Sequence, residues 1–163
     1  FFETIEKACR TADMVILREK DLNEDEYTLT AEKVKNICRK NNTLFCISKF
    51  SDVAEKTGCD ALQLSYSDFM KYTKKGIRTG TSVHSLEEAV SAEKAGADFL
   101  IAGHIFETDC KKGVPPRGIK FLTEIIENVE IPVYAIGGIN SGNESSVYEC
   151  GASGVCIMSG YMK

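Results

Sequence analysis

One pattern occurs three times in this chain and restricts its folding more than any other feature. "EKTGCD" at Glu55–Asp60, "EKAGAD" at Glu93–Asp98 and "YECGASG" at Tyr148–Gly154 each read as a helix end, a glycine and the start of a strand. Glycine just past the last helical residue takes the left-handed conformation that closes a helix and turns the chain. The apolar runs that follow are rich in β-branched residues and too short for helices, so they read as strands. Repeated strand–helix units of this kind build a parallel sheet, because parallel neighbours need a crossover between them.

Extended along the chain, the pattern predicts strands at Met14–Leu17, Thr43–Ser48, Ala61–Leu64, Thr79–Val83, Phe99–Gly103, Val133–Ile136 and Val155–Met158. Helices are expected at Phe2–Cys9, Ala31–Arg39, Phe50–Thr57, Ser85–Ala95, Ile119–Val129 and Ser145–Cys150, with a short one at Phe69–Lys74. The helix at Ser85 is the best marked, with Ser85 as N-cap and Glu88 three residues on, as in a capping box. Seven such strands predict a TIM (β/α)8 barrel, one domain over residues 1–163, lacking its first strand and last helix. At 163 residues the chain is shorter than the roughly 200 or more of a complete barrel. It opens on Phe1 inside a helix, so the expectation is that a strand precedes it in the native protein. An open doubly wound sheet is the alternative, disfavoured because no GxGxxG follows an early strand.

Composition narrows the function. A formal net charge of -4 argues against a nucleic-acid binder, while a local basic pocket for a phosphorylated metabolite stays compatible with an acidic whole. The seven cysteines, Cys9, Cys38, Cys46, Cys59, Cys110, Cys150 and Cys156, are odd in number and form no CxxC pair. They read as buried thiols of a cytoplasmic protein and not as a disulfide framework or zinc site. No run is long and apolar enough to be a membrane span, and no signal peptide opens the sequence.

In β/α barrels the chemistry sits at the C-terminal ends of the strands. Those positions hold Arg18, Glu19 and Lys20; Ser48 and Lys49; Gln63 and Ser65; Ser82 and His84; His104; Gly137, Gly138 and Asn140; and Ser159 and Gly160. Gly137-Gly138 and Ser159-Gly160 follow the last two strands, where barrels commonly bind phosphate, so they read as a phosphate cup. The competing reading is that the glycines only make tight turns. Of the two histidines, His104 has the better position for an acid/base, since an imidazole takes and gives a proton near neutral pH. His84, beside an N-cap, reads as structural. Arg18 and Lys20, two residues apart at a strand end, would point to one side and hold an anion, or else form a solvated turn. The long loop Glu107–Gly118 adds Lys111, Lys112 and Arg117, as substrate contacts or as solvated charges.

Four segments carry a resemblance. "VILREKD" at Val15–Asp21, "GTSVHSLEEA" at Gly80–Ala89, "AGADFLIAGHIFETDCKKG" at Ala95–Gly113 and "IPVYAIGGI" at Ile131–Ile139 resemble the thiamine-phosphate-synthase/TenI superfamily. Two branches compete there. Thiamine phosphate synthase joins a pyrimidine pyrophosphate to a thiazole phosphate with magnesium on the pyrophosphate. TenI-type thiazole tautomerase aromatises a carboxylated thiazole phosphate by moving a proton. Where the synthase branch typically reads "ND", with an Asp on magnesium, this chain has Ser48-Lys49, and an ammonium repels a divalent cation. "HLG" is replaced by "QLS" at Gln63–Ser65, although Asp68 falls at the later acidic position. "GPIF" is replaced by "GHIF", with His104 in place of the proline.

The resemblance therefore implies an isomerase, a thiazole tautomerase with His104 as acid/base, Arg18, Lys20, Ser82 and Lys111 on the substrate, and its phosphate at Gly137, Gly138, Ser159 and Gly160. No metal or other cofactor is required in that reading. The alternatives are the synthase, which brings Mg²⁺, and a non-enzymatic phosphate-ligand-binding or regulatory barrel. The expected partner is a small phosphorylated thiazole, with no nucleic acid and no membrane, in a protein for which the family allows a homo-oligomer.

Overall fold

A computed structural model of the chain describes residues 1–158 and Gly160. Seven strands alternate with helices, as the repeated glycine units require, and the strands within each of two groups, the first three and the last four, pair in parallel. Gly58, Gly96 and Gly151, which close the three repeats, all have positive φ, at 62°, 90° and 94°. The chain divides into two compact units.

The first unit comprises Phe1–Leu64 and Thr73–Thr79. It holds α1 (Phe2–Ala8), β1 (Met14–Leu17), α2 (Glu24–Lys40), β2 (Leu44–Ser48), α3 (Ser51–Thr57) and β3 (Ala61–Leu64). β1 pairs with β2, Leu17 opposite Ile47, and β2 pairs with β3, Ser48 opposite Gln63. α2 buries Tyr27, Ala31, Val34 and Cys38, one stripe at helical spacing. It begins seven residues before the expected Ala31, because Asn23 accepts the Glu26 N–H at 3.0 Å and the Glu26 carboxylate accepts the Asn23 N–H at 3.1 Å. That capping box satisfies donors which otherwise have no partner in the first turn. Replacing Asn23 with alanine should cost about 1 kcal/mol in denaturant-unfolding free energy, with Asn23→Asp close to wild type.

The second unit comprises Ser65–Tyr72 and the chain from Gly80 onward. It holds the short α4 (Tyr66–Phe69), most of β4 (Arg78–Val83), α5 (Leu86–Lys94), β5 (Phe99–Gly103), a 3-10 turn at Asp109–Lys111, α6 (Gly118–Asn128), β6 (Val133–Ile136), α7 (Glu144–Glu149) and β7 (Gly154–Cys156). β4 to β7 pair in chain order, all parallel. Every residue of β3 and of β5 is buried, apolar throughout except Gln63 of β3, as in parallel strands covered on both faces. The last strand ends at Cys156, two residues before the expected Met158, and the short helix expected at Phe69–Lys74 lies earlier, capped by Ser65. At α5 the Ser85 hydroxyl accepts the Glu88 N–H at 3.1 Å, but the Glu88 carboxylate accepts the N–H of His84, so the box closes one residue early.

All seven cysteines are free thiols. Cys9, Cys38 and Cys46 are buried, whereas Cys110 is exposed. Among the described residues no helix is long and apolar enough to cross a membrane.

Candidate functional site

At the ends of β1 and β2, one phenol holds the two strands. Tyr27 is fully buried; its hydroxyl donates to the Leu17 carbonyl at 2.6 Å, lies 3.1 Å from the Ser48 carbonyl and accepts the Ser48 N–H at 3.3 Å. Burial pushes its pKa well above the ordinary 10.0 of a phenol, with further upward contributions that include the charge of Glu19. Tyr27 was not among the residues expected from the sequence; the N-x-x-E of Asn23–Glu26 marks the helix start that places it.

Arg18 and Lys20 follow Leu17 and are exposed, but β1 has already ended, so they sit on a loop and the same-side argument from strand alternation does not apply. Ser48 and Gln63 turn out to serve each other. The Ser48 hydroxyl donates to Gln63 Oε1 at 2.7 Å, the Gln63 amide donates to the Leu64 carbonyl at 2.8 Å, and both residues are buried. Lys49 has φ 78°, a conformation rare for a residue with a side chain. Its N–H donates to the Gln63 carbonyl at 3.0 Å, and its ammonium lies 4.7 Å from the centre of the Phe50 ring. Phe50 in turn packs on Tyr27, with ring centres 4.6 Å apart.

In the second unit the chain after β5 is held by His104. The imidazole is buried, and with a carbonyl as partner Nε2 must donate, here to Val114 at 3.1 Å. The His104 carbonyl accepts the Arg117 N–H and the Ile105 carbonyl accepts the Gly118 N–H, both at 3.0 Å. His104 thus fastens the middle and the return of the lysine-bearing loop. Lys111 stands exposed on that loop's 3-10 turn; Lys112 pairs with Asp109 at 3.5 Å, and Arg117 lies over the Phe121 ring. Ser82 is half-buried on β4 beside Ile101.

Gly137 and Gly138 have φ 103° and 66°. A side chain on Gly137 would place its Cβ 2.3 Å from the His104 Cβ, and one on Gly138 would lie 2.3 Å from the Glu107 carbonyl. These glycines therefore admit the His104–Glu107 backbone, a close approach as well as a turn. Gly160 is exposed, and Ser159 lies outside the described residues. His84 is exposed, with Nδ1 3.4 Å from the Glu88 carboxylate at the start of α5.

Among the described residues no three carboxylate, imidazole or thiol side chains are grouped to hold a metal ion. The Asp68 carboxylate accepts the Ser65 hydroxyl at 2.6 Å across the start of α4.

With this geometry in hand, comparison with known proteins decides the family. A family model described as thiamine monophosphate synthase matches residues 1–161. The chain belongs to the thiamine monophosphate synthase family. The thiamine-phosphate synthase of Pyrococcus abyssi is 37% identical, across 93% of this chain and 75% of its own length. That of Fusobacterium nucleatum is 32% identical, across 99% and 82%. A solved structure, thiamine phosphate pyrophosphorylase from Pyrococcus furiosus, superposes with a TM-score of 0.86 at 33% identity, covering 97% of this chain and 79% of that one. N-acetylmannosamine-6-phosphate 2-epimerase from Clostridium perfringens, at 19% identity and TM-score 0.69, shares the fold alone.

These relatives overturn the tautomerase expectation. His104 in place of the family's proline weighed most toward an isomerase, but the synthase relatives match across nearly the whole chain. The His104 imidazole is instead engaged by the Val114 carbonyl and secures a loop.

Proposed function

We propose that the protein is a thiamine-phosphate synthase, a transferase that joins a hydroxymethylpyrimidine pyrophosphate to a thiazole phosphate. The observation that carries this reading is the identity of 32–37% to synthases across more than nine-tenths of the chain. In the transfer, the bond from the pyrimidine methylene carbon to the pyrophosphate oxygen breaks, and both electrons leave with the oxygen. The lone pair of the thiazole nitrogen forms the new C–N bond, so no proton changes hands. Charge builds on the departing pyrophosphate, and fixed cations that meet it lower the barrier.

Arg18 and Lys20 are the first unit's candidates for an anionic substrate group, as charge-assisted donors. In the second unit, Ser82, Lys111 and the turns at Gly137-Gly138 and Ser159-Gly160 are assigned to the thiazole phosphate. His104 acts there as a positioning residue, through the loop that carries Lys111. The alternation of seven strands with helices supports a single β/α barrel of the eight-fold kind. Free thiols suit a reducing cytoplasm.

Magnesium, which the synthase branch uses, does not fit a protein-built site here. Lys49 puts an ammonium after β2, which repels a divalent cation there.

The reading is checked by supplying both substrates to the purified protein and resolving the products by chromatography. Thiamine phosphate should accumulate in the complete mixture and stay at background when either substrate is omitted. Background product in the complete mixture as well would reject the reading.

A further inference from the structure

Lys49 is one of two non-glycine residues in the described chain held at positive φ, the other being Asn42. Asparagine visits that region readily, whereas lysine has no side-chain hydrogen bond to ease it, so its conformation stands out as strained. The strain is held by the structure around it. The Lys49 N–H is tied to Gln63, and Phe50 is stacked on the buried Tyr27. The result is an ammonium fixed over an aromatic face at the end of β2. Leu17 pairs with Ile47, so the loop bearing Arg18 and Lys20 leaves β1 beside the strand end from which Lys49 emerges. Two carboxylates, Glu19 and Asp21, share that loop; Glu19 lies near enough to Tyr27 to raise its pKa.

We propose that Lys49 supplies, as a fixed ammonium, the positive charge that neutralises the pyrophosphate of the pyrimidine substrate, so that this protein holds pyrophosphate without a protein-bound divalent cation. The inference rests on the synthase reading for its substrate. A lysine brings its charge with it, whereas magnesium needs oxygen ligands, and the chain leaves β2 on an ammonium instead. As the C–O bond breaks and its electrons pass to the pyrophosphate, the ammonium meets the added negative charge without transferring its proton.

The test uses inorganic pyrophosphate as the probe and titration calorimetry as the readout, on the whole chain, in EDTA and in magnesium. Wild type should bind in EDTA within about threefold of its affinity in magnesium. Lys49→Gly should weaken binding in EDTA by about tenfold or more, the scale of one charge-assisted contact, while Lys49→Arg stays near wild type. Glycine accepts the positive φ without strain, so the melting temperature of Lys49→Gly should hold or rise, which separates lost binding from lost folding. Lys49→Asp should bind only when magnesium is present. Wild-type binding confined to magnesium, or Lys49→Gly binding as wild type does, would overturn the proposal. The synthase reading fails separately: it falls if thiamine phosphate never forms, whatever the calorimetry shows.

Discussion

Gly137→Ala should lower the melting temperature by roughly 10 °C and abolish turnover. The cause is double. At φ 103° any side chain is strained, and the new methyl would lie 2.3 Å from the His104 Cβ and 2.7 Å from its Cα, which are parts of a buried segment. Strain of about 1–3 kcal/mol and overpacking of similar size together reach about 3 kcal/mol. At about 2–4 °C per kcal/mol for a chain of this length, that predicts the stated shift. Relief of the clash must push His104 away, which loosens its bond to Val114 and the loop bearing Lys111. Gly113→Ala is the control. Gly113 has φ 79° but nothing within 4 Å of an added Cβ, so it suffers strain alone and its melting temperature should fall by no more than about a third as much. Equal shifts in the two variants, by differential scanning calorimetry, would dismiss the packing account.

Tyr27→Phe comes next in size. The ring stays packed on Phe50, but the Leu17 carbonyl loses its donor and the Ser48 N–H its acceptor, inside a fully buried pocket. Leaving buried polar groups unpaired should cost about 2 kcal/mol in unfolding free energy. Because the phenol ties the ends of β1 and β2, the same change should raise the KM for the pyrimidine pyrophosphate, whose proposed contact Lys49 leaves from the end of β2. The pH dependence gives a second readout. The folded state raises the Tyr27 pKa above its ordinary 10.0, so the stability from burying the neutral phenol is complete below about pH 10 and is lost as pH rises beyond it. Urea midpoints of wild type should therefore fall more steeply above pH 10 than those of Tyr27→Phe. Parallel profiles would show that the phenol carries no such linkage.

The fold was legible because its signals are local. A glycine after a helix and a short β-branched run act within six residues, and Gly58, Gly96 and Gly151 adopt the left-handed turns those runs imply. The capping box at Asn23 was also local, but a helix begun at Ala31 leaves out its first two turns, and with them Tyr27. The site was harder to read because partners there are set by the tertiary structure. Ser48 and Gln63 look like a polar pair offered to a ligand, yet their register in adjacent strands makes them satisfy each other. His104 looks like an acid/base because it is a lone imidazole at a strand end; ten residues of loop return to occupy its Nε2. His104, together with Lys49 and Gln63–Ser65 in place of the synthase residues, pointed to the wrong branch of the family, since a side chain's chemistry depends on what faces it.

The central claim is the transfer itself, and phosphorus NMR tests it in one tube. With both substrates and the wild-type protein, the resonances of the pyrimidine pyrophosphate should decay while free pyrophosphate and thiamine phosphate grow in equal amounts. Pyrophosphate released without thiamine phosphate, or two substrates that remain unchanged, would contradict the account.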